Sequence, residues 1–136
     1  MKDYTIQNIT AAFGALFGFL FGKIDVIFYV LLSLVCIDFV SGMVNGAISE
    51  NLNSKVCYKG IIKKVFIFVM VAMSHLVDMA INQNIVMNIC MFFYIANESL
   101  SIIENAALAG LPIPNKIIKL LEQLKKENDQ EVENDS

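Results

Sequence analysis

Arginine and tryptophan are absent from the 136-residue chain, and proline occurs only twice, at Pro112 and Pro114. All ten cations are therefore lysine, and they gather on no face suited to nucleic acid. A single histidine, with no second cluster of ligand-type residues, argues against a metal centre. The cysteines Cys36, Cys57 and Cys90 are odd in number and widely spaced, with no CxxC pair. They read as small buried apolar residues, not as disulfides or metal ligands. No HExxH, nucleophile elbow or glycine-rich phosphate loop is present, so neither an enzyme nor a bound cofactor is expected. A cleaved signal peptide is not expected either, because Lys2 is followed at once by Asp3 and "FGKID" is a poor cleavage site.

What fills the chain is hydrocarbon. Hydrophobic residues make up 57% of it, against 45–50% in ordinary soluble domains, and they lie in long runs. The expected fold is an all-α integral membrane protein with three to four transmembrane helices. Residues 26–48, "VIFYVLLSLVCIDFVSGMVNGAI", exceed the roughly 20 residues needed to cross about 30 Å of hydrocarbon. Further spans are expected at 64–81 and 85–108. Residues 9–22, "ITAAFGALFGFLFG", are apolar but short; they cross only by recruiting "YTIQN" or by thinning the bilayer, and an interfacial helix competes. This gives a helical membrane domain over 1–110, an amphipathic interfacial helix over 115–126 and a disordered acidic tail over 127–136. In the 115–126 helix, Ile117, Ile118, Leu121 and Leu124 share one face, flanked by lysines suited to anionic lipid. Packing of that face on this chain or on a copy of it stays open.

Lysine placement sets the expected topology. The 50–63 connection and its edge carry Lys55, Lys59, Lys63 and Lys64 against one acid, Glu50, so this basic loop is expected in the cytoplasm. The C-terminus follows it there, whereas the side of the N-terminus depends on whether there are three or four spans.

Polar residues inside the apolar runs fall on helical faces. Asp38, Ser41, Gly42 and Asn45 are spaced i, i+3, i+4 and i+7; His75 and Asp78 are three apart, with Asn82 continuing their face. Tyr94, Glu98, Ser101 and Asn105 make a third stripe, flanked by Asn97 and Glu104. A carboxylate near a helix centre costs about 2.5–3.5 kcal/mol on insertion scales, so these faces should meet another helix or water. They read as oligomerisation surfaces or pore lining, and Glu98 with Glu104 as an acid–base pair is strongly disfavoured. His75 and Asp78 read as a local pair, with a proton- or voltage-sensitive role as the alternative. Gly14, Gly18 and Gly22 form overlapping GxxxG patterns suited to close helix packing. Gly110, Pro112 and Pro114 in "GLPIP" should terminate the last span.

Three stretches, "DFVSGMVNGAI", "YKGIIKKVFIFVMVAMSHLVD" and "NESLSIIENAALAGLPIPNKI", together resemble the bacteriophage holin family, which includes the clostridial toxin-secretion holins. The likeness spans roughly residues 35–121 and rests on Asp38, Gly42, Gly60, Lys63, Lys64, Asp78, Glu98, Ser101, Asn105, Gly110, Pro112 and Pro114. It implies a small protein of the bacterial cytoplasmic membrane that accumulates, associates with itself, and opens lesions at a set time. Those lesions would release an endolysin or a toxin, with no direct contact to either implied. An antiholin, a selective channel or a transporter subunit remain alternatives.

Overall fold

The computed structural model describes residues 1–50, 53–120, 122, 123 and 126. Four long helices follow one another: α1 (Lys2–Phe21), α2 (Val26–Ile48), α3 (Ser54–Ile81) and α4 (Val86–Leu108). Each is long and apolar enough to cross a membrane, so the chain is all-α with four membrane-type helices. The first helix begins at Lys2 and includes "YTIQN", which supplies the length that residues 9–22 lack on their own.

Short, well-capped turns set the path. Gly22 leaves α1 with φ +63°, its N–H bonding back to the Gly18 carbonyl. Asp25 then caps α2, its side chain accepting from the Phe28 N–H at 3.1 Å. Asn82 ends α3 at φ +54°, a left-handed position that asparagine tolerates. At the end of α4, Gly110 takes φ +86°, and two bonds run back, Leu111 N–H to Ala106 O and Gly110 N–H to Ala107 O, both 3.0 Å. This is the Schellman arrangement. Pro112 and Pro114 follow in non-helical backbone, so "GLPIP" does end the span.

The core is a narrow seam of Phe21, Phe28, Leu31, Val35, Ile67, Val71, Ala72 and Met91. Helix α4 packs most extensively on α2 and next on α3, while α2 and α3 touch little; α1 packs chiefly on α3 and meets α2 through the phenylalanines of its last turns. Phe21 fastens α1 to α2 by an edge contact with Phe28 at 5.4 Å, and Phe28 reaches Phe68 at 5.8 Å. Most other large apolar side chains, among them Phe13, Phe19, Val40, Phe66 and Phe92, face outward. An apolar exterior around an apolar seam is what a lipid solvent permits, since outward burial and inward burial are then nearly equivalent.

Several expectations change. Lys55, Lys59, Lys63 and Lys64 belong to α3, not to a loop: no proline interrupts residues 54–64, so the helix starts ten residues before the apolar run. Among the described residues, no atom lies within 4 Å of a Cβ built at Gly14 or Gly18, so the GxxxG face makes no close packing inside this chain. Gly22 lies outside the helix altogether. The cysteines are unpaired, but Cys36 is exposed and Cys57 and Cys90 are half-buried, because a lipid-facing position suits a thiol as well as a core does. Residues 115–120 are helical, with Ile117 and Leu120 exposed and Ile118 half-buried. Leu121, Leu124 and the acidic tail at 127–136 lie outside the described residues.

Candidate functional site

The polar faces of α2 and α4 meet where α3 inserts a cation between them. Lys64 donates from Nζ to Oδ2 of Asp38 on α2 and to Oε2 of Glu98 on α4. Asp38 is 7% exposed and Glu98 2% exposed, so one ammonium serves two buried carboxylates drawn from two other helices. A charge buried in apolar surroundings must be paired and hydrogen-bonded to persist, and this cluster does both.

A neutral network extends it. Asn105 Nδ2 donates to Asp38 Oδ1 at 3.1 Å and to Ser41 Oγ at 2.9 Å. Ser41 Oγ in turn donates to the Asp38 carbonyl at 3.0 Å, and Asn45 Nδ2 donates to the Asn105 main-chain carbonyl at 2.7 Å. Gly42 faces the same network: a Cβ there would sit 3.7 Å from Asn105 Nδ2, an ordinary van der Waals contact. Every buried side-chain nitrogen and oxygen among the described residues has a partner. The i, i+3, i+4, i+7 stripe on α2 and the Glu98–Ser101–Asn105 stripe on α4 are thus two sides of one interface.

Clefts open on both sides of this cluster. One, about 220 Å³, lies between α2 and α3 and includes Gly42, Gly46, Cys57 and Gly60 in its walls. The other, about 490 Å³, lies between α3 and α4 beside Lys63, Tyr94 and Asn97. Asp38, Gly60, Lys64 and Ser101 line both. The ion cluster therefore lies in the wall shared by the two clefts.

The other end of the bundle is organised by Asp78. Its carboxylate accepts from the backbone N–H groups of Ile85, Val86 and Met87 at 3.1, 2.9 and 2.8 Å. It thereby caps α4 from α3, satisfying donors that a helix start leaves free. His75 makes no hydrogen bond or ion pair to it among the described residues and acts on it only electrostatically, while three backbone amides hold the carboxylate. His75 instead packs on Gly22, where an added Cβ would meet the ring at 2.4 Å. Glu98 and Glu104 are not brought together, since Glu98 is buried on Lys64 and Glu104 is exposed. Asn97 is half-buried in the wall of the larger cleft.

Lys64, expected with the basic loop, instead turns into the bundle. It is the first residue of an apolar run, in a chain whose other spans hold carboxylates needing a partner. A family model described as the bacteriophage holin family matches residues 15–126, most of the chain and all three elements of this cluster. The chain belongs to the bacteriophage holin family. It is accordingly a multi-pass, non-enzymatic membrane protein. It is 33% identical over 119 residues to a protein named probable holin from Bacillus phage phi105, with 87% of each chain covered. An uncharacterised protein of Halalkalibacterium halodurans is 38% identical over 121 residues, covering 85% of this chain and 90% of its own. One from Listeria monocytogenes is 37% identical over 110 residues, covering 80% and 79%. No solved structure matches.

Proposed function

We propose that this holin accumulates in the bacterial cytoplasmic membrane, associates with copies of itself, and at a set time opens lesions large enough to pass folded protein. The cargo is an endolysin, or in a toxin-linked setting an exported toxin, released without a specific contact. The lysine-bearing end of the bundle, and with it both termini, faces the cytoplasm. The observation that carries this reading is the Asp38–Lys64–Glu98 cluster, with Asn105, Ser41 and Asn45 around it. Polar side chains sufficient to line a wet wall are stored inside the bundle, turned on each other and away from lipid. The same groups exchange internal partners for water or for a neighbour's polar face when protomers re-sort, and the isolated chain stays inert until then. Gly14 and Gly18, unpacked within the chain, supply an outward face for close approach of a second helix.

The test is induction of the gene in a host that already holds cytoplasmic endolysin, with turbidity and release of cytoplasmic protein recorded. Abrupt lysis after a delay is expected. Asp38→Asn and Glu98→Gln should shift its timing while membrane accumulation stays unchanged. Unaltered growth, or lysis only delayed by overproduction beside another holin, would replace the reading with a non-lytic channel or an antiholin.

A further inference from the structure

Helix α3 is too long for the bilayer, and its surplus is basic. Its 28 residues extend about 42 Å at 1.5 Å each, against about 30 Å of hydrocarbon. The far end cannot absorb the excess, because Asp78 holds the last turn of α3 level with the start of α4. About eight residues at the Ser54 end therefore stand among the headgroups. That segment and its edge place Lys55, Lys59 and Lys63 at i, i+4 and i+8, one helical stripe, all exposed, while Lys64 turns inward. The only acid on α3 is Asp78, at the opposite end. Tyr58 is exposed within the same turns, an amphipathic ring at headgroup level.

The fold brings further cations to the same end. The Asn45–Asn105 bond joins the C-terminal ends of α2 and α4, so exposed Lys116 and Lys119 follow on the side where α3 begins. Exposed Glu50 and Glu104 are also at this end, but neither lies on the α3 stripe. The opposite turn between α1 and α2 carries Lys23 beside Asp25.

We infer that the Lys55–Lys59–Lys63 stripe is a docking surface for anionic phospholipid headgroups, which hold this end of the bundle at the interface. Lysine ammoniums act here as point charges on phosphodiesters, a delocalised attachment that salt weakens. The test reconstitutes the full chain in phosphatidylcholine bilayers holding a trace of spin-labelled phosphatidylglycerol or spin-labelled phosphatidylcholine. The protein-restricted fraction of each label is read by electron paramagnetic resonance. At low salt, phosphatidylglycerol should be favoured about threefold to fivefold, the order of one lysine's attraction at an anionic surface. The preference should fall toward unity near 1 M salt. Lys55→Gln/Lys59→Gln/Lys63→Gln should abolish most of it; the corresponding triple arginine variant and Lys23→Gln should keep it. Equal restriction of the two labels, an unchanged preference in the glutamine variant, or its loss in the arginine variant would overturn the assignment. None of these outcomes depends on whether the chain lyses cells.

Discussion

Removing the ammonium of Lys64 is the most direct way to ask what the buried cluster does for the fold. In Lys64→Met the apolar stem is roughly kept, while Asp38 and Glu98 lose their shared cation. Both carboxylates are nearly inaccessible, and Asn105 remains as the neutral donor to Asp38. Breaking a buried ion pair from one side costs about 3–5 kcal/mol, or roughly a 150-fold to 4000-fold shift toward the opened state. Neutralising all three partners is a different perturbation, because no uncompensated charge is left; such replacements are often near neutral in free energy. The triple variant Asp38→Asn/Lys64→Met/Glu98→Gln should therefore recover most of the loss, to within about 1–2 kcal/mol of the parent chain. The assay is reversible unfolding in mixed detergent micelles, followed by pulse proteolysis at fixed protein concentration, since self-association would itself shift the midpoint. Equal destabilisation by the single and triple changes would refute the reasoning, because packing and not charge would then hold the three helices. So would a single variant as stable as the parent.

The other junctions give sharper local tests. Asp78→Ala should cost about 1–2 kcal/mol, the upper part of the range for a lost N-cap, with faster hydrogen exchange confined to Ile85, Val86 and Met87. Gly22→Ala is strained twice, by φ +63° with ψ −144° and by the His75 ring; His75→Ala should relieve the clash but leave the roughly 1–3 kcal/mol backbone term, measured as a double-mutant cycle. Gly110→Ala, at φ +86° with open space around it, should show that backbone term alone and fray the last turn of α4. Gly14→Ala and Gly18→Ala should leave the stability of the single chain within about 0.5 kcal/mol while changing crosslinking between copies.

Much of the fold was written in the one-dimensional pattern. The bounds of α2 and the start of α4 follow from long apolar runs, and the end of α4 follows from Gly110 and the prolines. The start of α1 did not, because Asp3, Gln7 and Asn8 look like a polar leader until the helix is seen to need them for length. The site was legible by halves. Spacing placed Asp38, Ser41 and Asn45 on one face and Glu98, Ser101 and Asn105 on another, since a face is a property of a single helix. Which face meets which is a property of the assembled bundle, so the three-helix meeting at Lys64 was not visible. Its neighbour Lys63 is an ordinary boundary lysine, and nothing in the pair "KK" says which ammonium turns inward. Asp78 was misassigned for a related reason. Its partners are backbone amides, and an amide donor leaves no mark in the sequence.

The Asp78 cap makes the hairpin of α3 and α4 a hinged pair, with its pivot at one rim and its clasp well along the arm. Fourteen residues separate Lys64 from Asp78, about 21 Å of lever at 1.5 Å per residue. A swing of about 10° at the pivot moves the Lys64 end by about 3.7 Å, enough to part an ammonium from a carboxylate while all three amide bonds at the turn stay made. The two ends of the α3–α4 pair are thus held differently: by three amide bonds to one carboxylate at the turn, and by a shared ammonium about 21 Å along the arm.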